Sequence, residues 1–259
     1  MLLILVLIII GISVGALTGI TGASGVVVVV PILTILGLSF QEAVGSSLLV
    51  DVITTAIVIY TYMKKKSASV TIALIMGLGA VLGAQIGARI AVSVDQLPLE
   101  ILFIALAVIM GYHAFRRSYG KGGEVRRSFE LKGNPALIIV FLLSIPVGVL
   151  TGTLGTSGGI MFLGIIMLIF PMSAQKMIGT ATLAMMLSAI SGVIGYAYFG
   201  RIDVLYAVVI GAVSFVSGYF FSILAHSIDE RMIYRVLGSV FEIVAFIELL
   251  KITALMPIV

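Results

Sequence analysis

The chain has 259 residues, 61% of them hydrophobic and only 10% charged, with a net charge of +4. A soluble domain is about half apolar and about a quarter charged, so this composition excludes a water-exposed globular fold and makes lipid the main solvent. No cysteine and only two histidines argue against disulfides, thiolate metal sites and a His-based metal centre.

The apolar segments follow in chain order. Residues 2–20 read as a mature helix, because no basic stretch precedes them as it would in a signal peptide. Residues 25–37 form a second, short segment that as a helix covers only about 20 Å. Residues 42–63, 69–91 and 97–116 are each long enough to cross a hydrocarbon core, which takes about 20 residues. A polar, glycine-rich stretch ending at Asn134-Pro135 separates these from a second set at 135–153, 158–170, 175–199, 204–225 and 232–251. The expected organisation is a membrane repeat over 1–116, a linker over 117–134 and a second membrane repeat over 135–259.

The two sets are related. Gly15-Ala-Leu-Thr-Gly-Ile-Thr-Gly-Ala-Ser-Gly25 recurs as Gly148-Val-Leu-Thr-Gly-Thr-Leu-Gly-Thr-Ser-Gly158, with seven of eleven positions identical at an offset of 133. The offset then becomes 134, matching Ser39, Gln41, Gly45 and Tyr62 with Ser173, Gln175, Gly179 and Tyr196. A single register change over so long a stretch implies duplication. The glycine cluster breaks the first helix of each half, and the short segment that follows returns as a hairpin inside the membrane. The fold class is therefore all-α: a polytopic integral membrane protein of two homologous, inverted repeats, each a Gly-interrupted helical hairpin plus three spanning helices. A rival reading gives each half four spans in parallel. With the linker on the cytoplasmic side, twelve of the fifteen Lys and Arg residues fall on that side, leaving Arg89, Arg201 and Lys251 opposite. Both termini then face outside, and the charge serves orientation rather than nucleic-acid binding.

Broken helices at matching positions of two repeats point to a transporter whose substrate binds at the midplane, between the interruptions. The two motifs suit an anion. Gly19, Gly22, Gly25, Gly152, Gly155 and Gly158 allow close backbone approach. The hydroxyls of Thr18, Thr21, Ser24, Thr151, Thr153, Thr156 and Ser157 can donate hydrogen bonds. A helix starting after each motif presents free N–H groups carrying about half a positive charge. Close packing of small residues accounts for the glycines alone, but not for the clustered hydroxyls. Ser46 and Ser47 align with Thr180-Ala181 in the third segment of each half and are further candidates to line the cavity, unless they bond back to the preceding turn. Asp51 lies deep in an apolar segment, where a carboxylate is usually functional. It is a candidate proton carrier for coupling, and its counterpart is Met185. Gln85 is either a pore-liner or an interhelical bond, and His113 and His226 read as interfacial. No catalytic residue, metal or cofactor is expected. The chain lacks His-Glu-x-x-His, a Ser-His dyad near the midplane and paired intramembrane aspartates.

These features resemble the sulfite exporter TauE/SafE family, also called the 4-toluene sulfonate uptake permease family. The resemblance covers essentially the whole chain. It rests on Gly15 to Gly25 followed by Pro31, on Gln41-Glu-Ala-Val-Gly-Ser-Ser-Leu48, on Gly77 to Arg89 and on the second copy from Gly148, although Gly164 stands where the first copy has Pro31. It implies a permease for sulfur-containing anions such as sulfite, sulfoacetate or other organosulfonates. The expectation is a secondary transporter in the cell membrane, working by alternating access, with a homodimer as a possible assembly. The alternative is a passive channel or facilitator for a different small anion.

Overall fold

In a computed structural model, residues 2–119, 134–155, 158–170 and 172–255 are described. They form ten helices: α1 (Leu2–Thr21), α2 (Val26–Ile35), α3 (Phe40–Lys64), α4 (Val70–Ser93), α5 (Gln96–Tyr119), α6 (Asn134–Leu154), α7 (Gly158–Ile169), α8 (Ala174–Tyr198), α9 (Val204–Leu224) and α10 (Glu230–Leu255). Residues 120–133, which hold most of the expected linker, lie outside the described residues. The chain is a polytopic helical membrane protein. Among the described residues, α1, α3, α4, α5, α6, α8 and α9 are long and apolar enough to cross a membrane, whereas α2 is a short apolar helix. Helix α10 covers the expected span at 232–251 but is not among the seven. It carries Arg231, Arg235, Glu242, Glu248 and Lys251, and its apolar side packs on α5.

The helices divide their surfaces between lipid and protein. On α4, Leu74, Leu78, Leu82, Ile86 and Ile90 recur every four residues and are exposed, while Ala73, Ala80, Ala84, Ala88 and Ala91 are buried. Four-residue spacing keeps a stripe on one helix face, and an apolar stripe this long needs hydrocarbon around it. The opposite stripe is made of small residues because hydrocarbon gives helices little incentive to associate except by close packing. Cβ atoms built at Gly79, Gly83 and Gly87 would stand 2.3, 2.1 and 2.2 Å from the carbonyl oxygens of Phe141, Ile145 and Val149 on α6. Gly148 and Gly152 return the contact against the Ala80 and Ala84 carbonyls. Helix α1 uses Gly11, Gly15 and Gly19 in the same way against α9.

The first helix of each half thus packs on the other half: α1 lies against α9 and α6 against α4. The pairs α3–α8 and α5–α10 complete the arrangement, and exchanging the halves reproduces the pattern. Within α3–α8, Gly45 meets Tyr196 and Gly179 meets Tyr62, so these corresponding helices run antiparallel. So do α5 and α10, where Gly111 lies on Glu242 and Gly238 on Phe115. The connecting loops also cross over. The Asp203 N–H donates to Ser46 Oγ at 2.8 Å, and the Ser69 N–H donates to Thr180 Oγ1 at 2.8 Å.

Glycine substitutions should separate packing from helix propensity. Gly83→Ala forces a methyl onto the Ile145 carbonyl and is expected to cost about 1–3 kcal/mol, as overpacking does. Gly164→Ala, with nothing within 4 Å, is expected to be neutral or to stabilise by up to about 1 kcal/mol. Thermal unfolding of the purified protein in detergent reads both, and equal behaviour of the two variants would contradict the packing account.

Candidate functional site

Both hairpins turn at a glycine that only glycine suits. The Gly22 N–H bonds the Thr18 carbonyl at 2.9 Å and the Gly155 N–H bonds that of Thr151 at 2.8 Å, closing the last turns of α1 and α6. Each glycine then has positive φ, +68° and +66°, the left-handed conformation that ends a helix. After Gly22, Thr21 Oγ1 donates to Leu17 O and accepts the Ala23 N–H at 3.0 Å. Ser24 Oγ accepts the Val26 N–H at 3.0 Å, giving a first-turn amide of α2 its partner.

Asp51 completes this turn. Its side chain is fully buried near the middle of α3. It accepts a short hydrogen bond from the Ser24 hydroxyl and a second, at 2.9 Å, from the Gly25 N–H. The carboxylate therefore sits at the N-terminus of α2, where the helix dipole favours negative charge. The corresponding residue in the other half, Met185, has its sulfur 3.0 Å from a Cβ built at Gly159 in the first turn of α7. One helix start thus faces a carboxylate and the other a thioether.

The two tips touch. A Cβ at Gly155 would stand 2.8 Å from Val26 Cγ1, and one at Gly159 would stand 2.2 Å from the Gly22 carbonyl oxygen. The N-terminal ends of α2 and α7 are therefore neighbours, flanked by Val44 of α3 and by Ile178 and Thr182 of α8.

The hydroxyls expected at the site divide into several groups. Thr18 Oγ1 is fully buried and has no hydrogen-bond partner. Thr151 and Thr153 donate to Val147 and Val149 one turn back, and Ser47 donates to Val44. Their protons are used within the helix. Ser46 and Thr180 do not gather at the tips: each receives a loop N–H from the opposite half, so they act as clasps. Gly19 and Gly152 face α9 and α4 rather than the turn. Gly158 opens α7, while Thr156 and Ser157 lie outside the described residues.

Other polar residues settle as packing. Gln85 Nε2 donates to the Ser191 carbonyl at 2.6 Å, an interhelical bond. Gln41 reaches the Ala91 and Val94 carbonyls at the end of α4, and the start of α3 is capped instead by the reciprocal pair Ser39 and Glu42. His226, in the loop after α9, packs against Tyr62 with ring centroids 5.0 Å apart and ring planes tilted by 41°. Burial holds its pKa below the usual histidine value against the opposing Ser222 carbonyl bond, and Lys65 lowers it further. Tyr62 and Tyr196, which in the sequence only mark the repeat, have a role at the hairpins. Their hydroxyls reach the hairpins, bonding the Gly19 carbonyl at 3.2 Å and the Gly152 carbonyl at 2.9 Å. Their matching places in the two copies were the available signal.

The family description Sulfite exporter TauE/SafE matches residues 7–247. Two proteins of Bacillus subtilis (strain 168) are similar along most of their length. "Probable membrane transporter protein YunE" is 24% identical over 221 residues, covering 78% of this chain and 81% of that protein. "Probable membrane transporter protein YjnA" is 23% identical over 214 residues, covering 78% and 82%. No solved structure matches the chain.

Removing the Asp51 carboxylate tests how the first tip is held. Asp51→Leu removes the carboxylate that accepts from the Ser24 hydroxyl and the Gly25 N–H and is expected to lower stability by about 2 kcal/mol or more. Asp51→Asn keeps an acceptor oxygen and should lose less than half as much. Melting temperatures in detergent distinguish them, and equal losses would mean that Asp51 does not hold the tip.

Proposed function

Because the chain belongs to the sulfite exporter TauE/SafE family and is a membrane transporter, we propose that it moves a small sulfur-containing oxyanion, sulfite or an organosulfonate, seated between its two hairpin tips. The observation that carries this reading is the contact of Gly155 with Val26 and of Gly159 with Gly22. It brings two helix N-termini together where their amide dipoles favour an anion. The free hydroxyl of Thr18 adds a donor one turn before the first tip. A sulfur oxyanion suits such a seat because its charge spreads over several oxygens, each able to accept from a backbone amide or a hydroxyl.

The antiparallel run of α3 against α8 and of α5 against α10 supports inverted orientation of the two halves. In that arrangement, rocking one half against the other opens the seat to each side in turn. Orientation with the central linker in the cytoplasm follows from the bias of Lys and Arg, and the membrane in which we place the protein is the plasma membrane. On this reading the protein transports its substrate unaltered, and Asp51 carries the coupling proton. A bound anion beside an ionised Asp51 sets two negative charges close together in a medium of low dielectric. Protonating the carboxyl removes that repulsion and links proton movement to substrate movement.

Reconstitution into proteoliposomes tests both parts. Sulfite is expected to accumulate against its own gradient when a proton gradient is imposed, and Asp51→Asn is expected to lose the proton dependence. Thr18→Val should lower sulfite flux about tenfold or more, the value of a hydrogen bond to a charged group, with unchanged expression. Strictly downhill flux that ignores the proton gradient would favour a passive facilitator. Wild-type flux in Thr18→Val would remove Thr18 from the seat.

A further inference from the structure

The end of α1 leaves a carbonyl without its helical donor. In a continuing helix Gly19 O accepts from the N–H four residues on, at Ala23. That N–H is turned aside onto Thr21 Oγ1, and a buried carbonyl left this way must find another donor. The donor is the Tyr62 hydroxyl, which reaches Gly19 O from α3. Tyr196 repeats the contact on α6, donating to Gly152 O at 2.9 Å and lying 3.4 Å from Thr153 O. Both rings are fully buried and are among the largest buried side chains described.

Each tyrosine also touches the opposite half. The Tyr62 Cβ stands 3.1 Å from a Cβ built at Gly179 of α8, and the Tyr196 Cβ stands 3.0 Å from one built at Gly45 of α3. The same glycines receive the crossing loops, with Ser67 O at 2.0 Å and Arg201 O at 2.1 Å from the built Cβ positions. Those loops are held by the tyrosines' own backbones, the Ser67 N–H on Tyr62 O and the Arg201 N–H on Tyr196 O. One residue therefore joins a hairpin end, a long helix of its own half, a connecting loop and a helix of the other half. The arrangement occurs once at each end of the antiparallel α3–α8 pair.

We propose that Tyr62 and Tyr196 are positioning residues, each holding one hairpin tip ready for the ligand and tying that tip to the fit between the two halves. Each acts through the carbonyl it caps, so a shift of α8 against α3 draws on the same ring that fixes the end of α1. The proposal rests on the reading of the tips as the substrate seat, but its first test needs no substrate.

The native chain has no cysteine, so a single introduced thiol reports on one tip. In full-length protein in lipid vesicles, Ala23→Cys places a buried thiol in the first turn, and its reaction rate with N-ethylmaleimide measures opening. Tyr62→Phe keeps the ring and removes only the hydroxyl. It is expected to speed labelling about fivefold, the factor one buried hydrogen bond is worth, while Tyr196→Phe leaves the rate near that of the parent. Leu154→Cys, a buried thiol at the end of α6, should show the converse and decides the matter if Tyr62→Phe does not fold. In transport, either phenylalanine variant should raise the KM for sulfite about fivefold with little change in maximal rate, because fewer molecules hold a competent seat. Unchanged labelling, or equal acceleration at both tips by either variant, overturns the proposal. Ring packing alone predicts no effect from losing a hydroxyl. If the parent protein does not carry sulfite, the labelling result still decides the role of the tyrosines and the choice of substrate alone is wrong.

Discussion

A helix broken inside a bilayer must replace every backbone hydrogen bond that it gives up, because hydrocarbon offers none. The hairpins of this protein are organised around that requirement. At the first tip the Ala23 amide goes to the Thr21 hydroxyl and the Val26 amide to Ser24. The Gly25 amide goes to Asp51, and the abandoned Gly19 carbonyl goes to Tyr62. The hydroxyl-rich motif serves the backbone before it serves any ligand. Much of what looks in sequence like a set of ligand donors is therefore committed to holding the chain in an unwound shape. Thr18, whose hydroxyl has no partner, stands apart for that reason.

A second constraint is closeness. The glycines of α1, α4 and α6 let backbones meet where any side chain would collide with a carbonyl, and these contacts lie between halves rather than within them. Neither half keeps its own hairpin to itself: α1 is held by α9, and α6 by α4. Stability and mutual movement of the halves thus depend on the same surfaces. Such surfaces hold by fit, with contributions that fall off steeply once separation opens, which suits elements that must part and rejoin.

Much of the fold was legible because its causes are periodic and local. Composition identified the solvent, the apolar runs marked the helices to within a few residues, and the duplication at offsets of 133 and 134 placed both hairpins. Comparing the two copies served as a small alignment. Positions identical in both, such as Gly45 with Gly179 and Tyr62 with Tyr196, prove to be places where the halves touch. The candidate site was only partly legible. That Ser46 and Thr180 would receive loop amides from the opposite half depends on pairing between residues more than a hundred positions apart, which no local pattern encodes. Asp51 showed itself as an intramembrane carboxylate, but its partners Ser24 and Gly25, just before α2, became visible only when the hairpin was folded back onto α3.

The duplicated scaffold is symmetric, and its chemistry is not. Asp51 places a carboxylate against the start of α2, while Met185 leaves the start of α7 facing a soft, uncharged sulfur. Two identical helix starts at close quarters would treat an anion alike. On the proposed reading, with one already occupied by an internal carboxylate, a visiting anion gains more from the other, and its approach is opposed by whatever charge Asp51 carries. Proton-coupled transport needs such an interaction between the substrate and the proton that neutralises Asp51, since two ligands that ignore one another cannot be linked. On the proposed reading, the exchange of Asp51 for Met185 between the two tips turns a symmetric pair of anion seats into one seat and one regulator of its charge.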